Sequence, residues 1–258
     1  MKKKSMVCAL ILGRKVSVGF PGKNTYPIMG RPLMIYPMMA AEHSKYVSHM
    51  YISTDAEEYK ELARKRNWEI IDRPPELATK EAKGEDAFIH AYNVLKERLA
   101  QQDMEIEFVA QLHAKSATLL SSHIDSGVEM LRNNTEADSA VTVSVYNMWS
   151  PLRARRMNKE GYLDPFVPFE TFGDPKTLNC DRDSQGNVFF ADMALSLVRP
   201  RCLDNIKDGL LPQKWMGRKI LPIHNDGGLD IDYEFQVPQT DFWLKKHGFT
   251  DDKTPYDR

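Results

Sequence analysis

Short apolar runs alternate with segments of helical spacing through the first half of this chain, and that alternation restricts its fold more than any other feature. Met6 to Leu12, His49 to Thr54, Glu69 to Ile71, Phe108 to Leu112 and Ala140 to Tyr146 read as strands, the last of them, AVTVSVY, the clearest. Helical patterns lie between them. Pro32 to Ser44 opens on a proline and sets Leu33, Tyr36, Met39 and Ala40 on one face. Glu57 to Asn67 follows, and Glu85 to Leu99 repeats Phe88, Ala91, Tyr92 and Leu95 at helical intervals. Ser122 with Asp125 reads as a capping box for a helix ending near Arg132. Strands separated this regularly by helices imply an α/β fold, with a mostly parallel sheet covered by helices on both faces.

From Asn147 to Gly186 the alternation breaks into prolines, aromatics and charges. The stretch is too long for an ordinary connection and too hydrophobic for a disordered linker, so residues 147–186 read as an insertion acting as a lid or dimer arm within a single domain spanning 1–258. Its aromatics Phe166, Phe169 and Phe172 are expected to pack the insertion or an interface. Regular structure resumes at Asn187 to Val198, followed by a strand at Ile220 to Ile223 and a helix from about Tyr233 to His247. His43, His90 and His123 lie on expected helices without a metal-spaced partner and read as packed or surface residues.

At 258 residues and 42% hydrophobic content the chain can bury a full core. Its 35 Lys and Arg against 36 Asp and Glu give a net charge of -1, so no overall field favours nucleic acid or an anionic membrane, and any anion site must be local. Cys8, Cys180 and Cys202 are odd in number and contain no C-x-x-C pair, which argues against a disulfide framework or zinc site and for a reducing, cytoplasmic setting. Lys2 to Lys4 precede an apolar run that stops at Leu12, without a small-residue cleavage site, so the run reads as the first strand and not as a signal peptide. No apolar stretch approaches the roughly 18 residues needed to span a bilayer.

Directly behind that strand comes the loop Gly13 to Asn24, GRKVSVGFPGKN. Its glycines and basic residues suit a polyphosphate, and a loop after the first strand belongs to the crevice where open α/β sheets bind ligands; the alternative is a basic surface loop. It is not a Walker A loop, because Ser17 stands where the first glycine would be and Asn24 follows the lysine. Near the other end, DGGLDIDYE places Asp230 and Asp232 one residue apart, so in extended chain both carboxylates point the same way. That spacing suits one Mg²⁺, the alternative being Asp232 as a cap for the helix near Tyr233. Arg153, Arg155 and Arg156 form a cluster able to pair a carboxylate or else a solvated basic turn, with Lys115 as a second candidate.

Taken together, these segments resemble the acylneuraminate cytidylyltransferase family, whose nucleotide loop reads approximately A-R-x-x-S-K-G-x-P-x-K-N. ISTD at Ile52 to Asp55, RPPELA at Arg73 to Ala78, Gln111 and the DID of Asp230 to Asp232 recur in the family's order. The chain departs from it at Leu12-Gly13, at Val18, and over Leu112 to Thr118. The resemblance implies a Rossmann-like nucleotidyltransferase that moves CMP from CTP onto the anomeric hydroxyl of a 2-keto sugar acid, releasing pyrophosphate. It further implies that Gly13, Arg14, Lys23 and Asn24 bind the CTP phosphates, with Arg73 near the nucleotide and Asp230 and Asp232 holding Mg²⁺. Gln111 would face the acceptor, and Gln185, Asn187 and Phe189 would lie near the acceptor-binding strand. Members are commonly homodimers whose insertion reaches the partner, where Arg153 would approach the neighbouring acceptor site. A same-fold enzyme acting on Kdo, a sugar 1-phosphate or a phosphonate remains open, as does a catalytically silent nucleotide-binding protein.

Overall fold

Residues 6–11 are apolar on both sides of their strand, and the two sides enter different cores. In the computed structural model, which describes residues 3–16 and 19–257, Val7, Ala9 and Ile11 face one cluster while Met6, Cys8 and Leu10 face another. Ser17 and Val18 of the basic loop lie outside the described residues.

In chain order the strands and helices are β1 (Lys4–Gly13), β2 (Pro27–Ile28), β3 (Arg31–Pro32), α1 (Ile35–Glu42), β4 (Val47–Thr54), α2 (Glu57–Lys65), β5 (Glu69–Asp72), α3 (Gly84–Ala100) and β6 (Met104–His113). Then come α4 (Ser121–Asn133), β7 (Ser139–Val145), β8 (Arg155–Met157), β9 (Leu163–Pro165), β10 (Phe189–Val198), α5 (Pro200–Asp204), β11 (Ile220–His224) and α6 (Val237–Lys246). The main sheet has seven strands in the order β11-β7-β10-β6-β1-β4-β5, and β10 alone runs antiparallel to its neighbours. Helices α1, α2, α4 and α6 contribute to the first core and α3 and α5 to the second, so both faces are covered as the alternation implies. Among the described residues no helix is long and apolar enough to cross a membrane.

Three expectations shift. The helix expected from Pro32 starts at Ile35, because Pro32 pairs with Pro27 across the small hairpin β2–β3. The Ser122–Asp125 capping box does not form: the Leu120 N–H is accepted by His123 Nδ1, and Asp125 instead accepts from Ser44 Oγ at 2.6 Å and the Lys45 N–H at 3.0 Å. Asp232 does not cap the last helix either, since Gln236 Oε1 takes the N–H groups of Asp232 and Tyr233, each at 2.8 Å.

The insertion leaves and re-enters the sheet at one place. Strands β7 and β10 are hydrogen-bonded neighbours, Val145 opposite Phe189, so residues 146–188 are the expanded loop of one antiparallel hairpin. The loop contains the small hairpin β8–β9 and exposes Trp149, Met157, Tyr162, Leu163 and Phe166, while Arg155 lies over the Phe169 ring.

Candidate active site

From β1 the chain proceeds to β4 on one side, and from β6 to β7 on the other, so the loops leaving these neighbouring strands diverge and open a crevice. A cavity of about 270 Å³ lies there, lined by Arg14, Lys23, Asn24, His113, Lys115 and Asp232 among others. The basic loop wraps it. Gly22 takes φ 73° to start a one-turn 3-10 helix that buries Lys23 and Asn24, and Asp55 of the ISTD segment accepts the Lys15 N–H at 2.8 Å. Gly19 sits so close to the Asp232 carbonyl that a Cβ would come within 2.8 Å of it.

Opposite the loop, the alternation of Asp230 and Asp232 does what an extended segment requires. Both carboxylates converge on one ammonium: Lys115 Nζ is 2.6 Å from Asp230 Oδ2 and 2.9 and 3.0 Å from the two oxygens of Asp232. Lys23 Nζ pairs with Asp232 as well. Burial works to lower the Lys115 pKa, but Asp230 and Asp232 outweigh it and hold it above its ordinary value. Burial works to raise that of Asp232, and the hydrogen bonds from Lys115 and Lys23 outweigh it, holding it low. Two carboxylates closing on one cation beside an open cavity fit Mg²⁺, which takes one or two carboxylates and completes its shell with water and phosphate oxygens. Among the described residues no group of three or more His, Cys, Asp or Glu side chains is placed to hold a metal.

The carboxylate segment is held by residues that no motif announces. Ser116 and Thr118 each donate a hydroxyl hydrogen bond to the Leu229 carbonyl at 3.0 Å, and the Ile231 N–H donates to the Lys115 carbonyl at 2.9 Å. The Asn225 amide donates to the Thr118 carbonyl at 2.8 Å. Beneath them Ser144 Oγ lies 2.9 Å from both Asp192 Oδ2 and the Asn225 carbonyl while accepting the Gly228 N–H at 2.8 Å. One hydroxyl proton cannot serve two acceptors at once, so Asp192 and the Asn225 carbonyl compete for it. Burial pushes the Asp192 pKa up, outweighing the hydrogen bonds from Thr142, Ala194, Ser144 and Asn225 that lower it. Because the folded-state value stands above the unfolded one, this contribution to stability is complete below the ordinary value of 3.8 and is lost as pH rises through the folded one. The Asp192→Asn variant carries a permanent donor, so its melting temperature relative to the wild type should climb from acid to neutral pH. A difference independent of pH would show that the fold does not raise the Asp192 pKa.

Arg14 and Arg73 supply further positive charge. Arg14 Nη1 donates to the Thr79 carbonyl at 3.0 Å. Arg73 is buried, donates to the Ser53 carbonyl at 2.8 Å and has no salt bridge among the described residues; burial, with Arg14 adding to it against Asp55, lowers its pKa to about 10. His113 lies at the end of β6 with Nε2 enclosed and unpartnered, and burial, then Lys115, lower its pKa to about 4, so it is neutral. Gly13 ends β1 against the Tyr59 ring.

The other expected residues are not among those lining this cavity. Gln111 is buried within β6, opposite Ser196, with Oε1 unpartnered. Arg153 donates to the Cys180 carbonyl at 2.7 Å and, with Arg155, lines a separate cleft of about 500 Å³ in the insertion. Arg156 is exposed on β8. Gln185 and Asn187 are exposed at the end of the insertion, and Phe189 opens β10 edge-on to His224. Lys115 stands on the carboxylates, not beside Arg153.

The sequence model of the Cytidylyltransferase family matches residues 8–159. An N-acylneuraminate cytidylyltransferase of Streptococcus agalactiae serotype V is 29% identical over 160 residues, covering 61% of this chain and 36% of that one. A Helicobacter pylori protein named pseudaminic acid cytidylyltransferase and UDP-2,4-diacetamido-2,4,6-trideoxy-beta-L-altropyranose hydrolase is 26% identical over 146 residues, covering 57% and 27%. The chain thus spans about a third of the length of the curated relatives it matches. Among solved structures, a CMP:2-keto-3-deoxy-manno-octonic acid synthetase complexed with CTP superposes with a TM-score of 0.63 at 12% identity, covering 94% of this chain and 99% of that one. A 4-diphosphocytidyl-2C-methyl-D-erythritol synthase gives 0.62 at 12% identity, covering 93% and 99%. At such identity these two structures speak for the Rossmann-like nucleotidyltransferase fold alone.

Proposed function

The chain belongs to the cytidylyltransferase family, and from that premise we propose that it transfers CMP from CTP to the anomeric hydroxyl of a 2-keto sugar acid of the sialic-acid type, releasing pyrophosphate. The observation that carries this reading is the cavity over the ends of β1 and β6, where Arg14, Lys23 and Lys115 gather opposite Asp232, with Asp230 also paired to Lys115. The names of the relatives support the acceptor class.

In this reading the sugar hydroxyl attacks the α-phosphorus and gives up its proton to solvent, the bond to the bridging oxygen of the β-phosphate breaks, and pyrophosphate leaves with the electron pair. Such transfer depends mainly on alignment and on neutralising charge. Arg14 and Lys23 reach the cavity from the basic loop and offset charge building on the leaving pyrophosphate. Asn24, fixed in the same turn, supplies a neutral polar contact, and Arg73, buried and within electrostatic reach of Arg14, adds positive charge to the site. Asp230 and Asp232 are the residues that would hold Mg²⁺, which when bound supplies Lewis-acid polarisation of the α-phosphate. The apolar side chains exposed on the insertion form the surface through which two copies pair.

Pyrophosphate release, measured with Mg²⁺ across CTP, UTP, GTP and ATP and a panel of 2-keto sugar acids, tests this. Release is expected with CTP and one sugar acid, from a protein that sediments as a dimer. Release only with a sugar 1-phosphate or phosphonate would keep the family chemistry and replace the acceptor. CTP binding without release from any pair would leave a silent nucleotide-binding protein.

A further inference from the structure

Lys115 makes the contacts that a divalent cation would make. Its ammonium bridges Asp230 Oδ2 at 2.6 Å and both Asp232 oxygens at 2.9 and 3.0 Å, and Lys23 adds a second ammonium on Asp232. Two positive groups stand against two negative ones, so the cluster is already neutral. The backbone of Lys115 is fastened to the carboxylate segment through the Ile231 N–H, so the four-carbon stem is the part that moves. Arg14, Lys23 and Asn24 line the same cavity, into which a triphosphate would bring several anionic oxygens.

We propose that Lys115 is a tethered counter-cation that occupies the cation position between Asp230 and Asp232 in the nucleotide-free protein and transfers to a phosphate oxygen when triphosphate and divalent cation enter together. This rests on the nucleotide-transfer reading and assigns Lys115 to the phosphates instead of the acceptor carboxylate. A divalent cation arriving alone meets positive charge a few ångströms away and must displace Lys115 from both of its carboxylates while Lys23 still holds Asp232. Arriving with a triphosphate it meets no such opposition, because the phosphate oxygens provide new partners for both lysines. Nucleotide and metal therefore strengthen each other's binding by the same factor. The tether also keeps the two carboxylates apart from any adventitious cation until a substrate arrives.

Mn²⁺ titrations of the full chain without nucleotide, read by electron paramagnetic resonance, test the assignment. Lys115→Met and Lys115→Gln, the second keeping a polar side chain of similar reach, should each bind Mn²⁺ about tenfold or more tightly than the wild type. Lys115→Arg, which retains the charge, should bind as weakly as the wild type. Adding Asp230→Asn to Lys115→Met should abolish the gain. Equal or weaker Mn²⁺ binding by both neutral variants overturns the proposal, and so does a gain that survives Asp230→Asn. No nucleotide or sugar is present, so a failure here is separate from a failure to find the transfer reaction.

Discussion

The Asp232→Asn variant is expected to release pyrophosphate from CTP at least about a hundredfold more slowly than the wild type, with the fall in kcat and larger than any loss of folded protein explains. Asp232 lies where the two halves of the cavity meet: it accepts from Lys23 of the basic loop and from Lys115 after β6, and its backbone carbonyl borders Gly19. Asparagine keeps the shape of the side chain and removes the charge that pairs both lysines and that, in the proposed reaction, would hold Mg²⁺. The Asp232 side chain is 46% exposed but that of Lys23 is 9% exposed, so the variant leaves a buried ammonium without its carboxylate and some stability is lost as well. Asp226→Asn is the matched control, since that carboxylate belongs to the same segment but is exposed and pairs with Lys246. Its rate should remain within about twofold of wild type. Equal rates for Asp232→Asn and wild type would remove Asp232 from the chemistry.

Gly228→Ala is expected to destabilise the fold by about 1–3 kcal/mol and to lower activity with it. A Cβ at this position would lie 2.1 Å from Asn225 Nδ2 and 2.3 Å from Asp192 Oδ2. Neither atom is a free end. Asn225 Nδ2 donates to the Thr118 carbonyl and Asp192 Oδ2 meets Ser144, so relief of the clash breaks a buried hydrogen bond on either side. The displaced segment is the one that carries Asp230 and Asp232, and activity should fall further than the loss of folded protein explains. Gly227→Ala is a useful contrast: nothing lies within 4 Å of its Cβ position, and its cost comes from φ 73° alone. Thermal unfolding and pyrophosphate release of both variants decide it, and a Gly228→Ala protein as stable and active as wild type would show that the clamp is slack.

What was legible in the sequence was whatever depends on periodicity or on one loop. The apolar runs at Met6 to Leu12 and Ala140 to Tyr146 became β1 and β7, and the alternation of Asp230 and Asp232 delivered two carboxylates to one point. Direction was not legible, because the pattern of Asn187 to Val198 is the same whichever way the strand runs; only pairing made β10 antiparallel. The shared face of Lys115 and the carboxylates was not legible either, since it arises from segments more than a hundred residues apart. Chemistry alone made Lys115 a second candidate for a carboxylate behind the cluster at Arg153, and the fold separated them. Asp192, Ser144 and Asn225 gave no signal at all, being ordinary polar residues until their burial made each hydrogen bond obligatory.

The hairpin origin of residues 146–188 has a consequence for how such a protein diversifies. Both ends of the segment leave the sheet side by side from β7 and β10, so lengthening it costs only the slow logarithmic growth of loop closure and leaves the sheet register untouched. The cavity residues at Arg14, Lys23, Lys115 and Asp232 are anchored elsewhere, on the loops after β1 and β6 and on the segment before α6. Descendants can therefore exchange the outer arm, and with it whatever it touches, in a single cassette while inheriting the cavity over β1 and β6 intact.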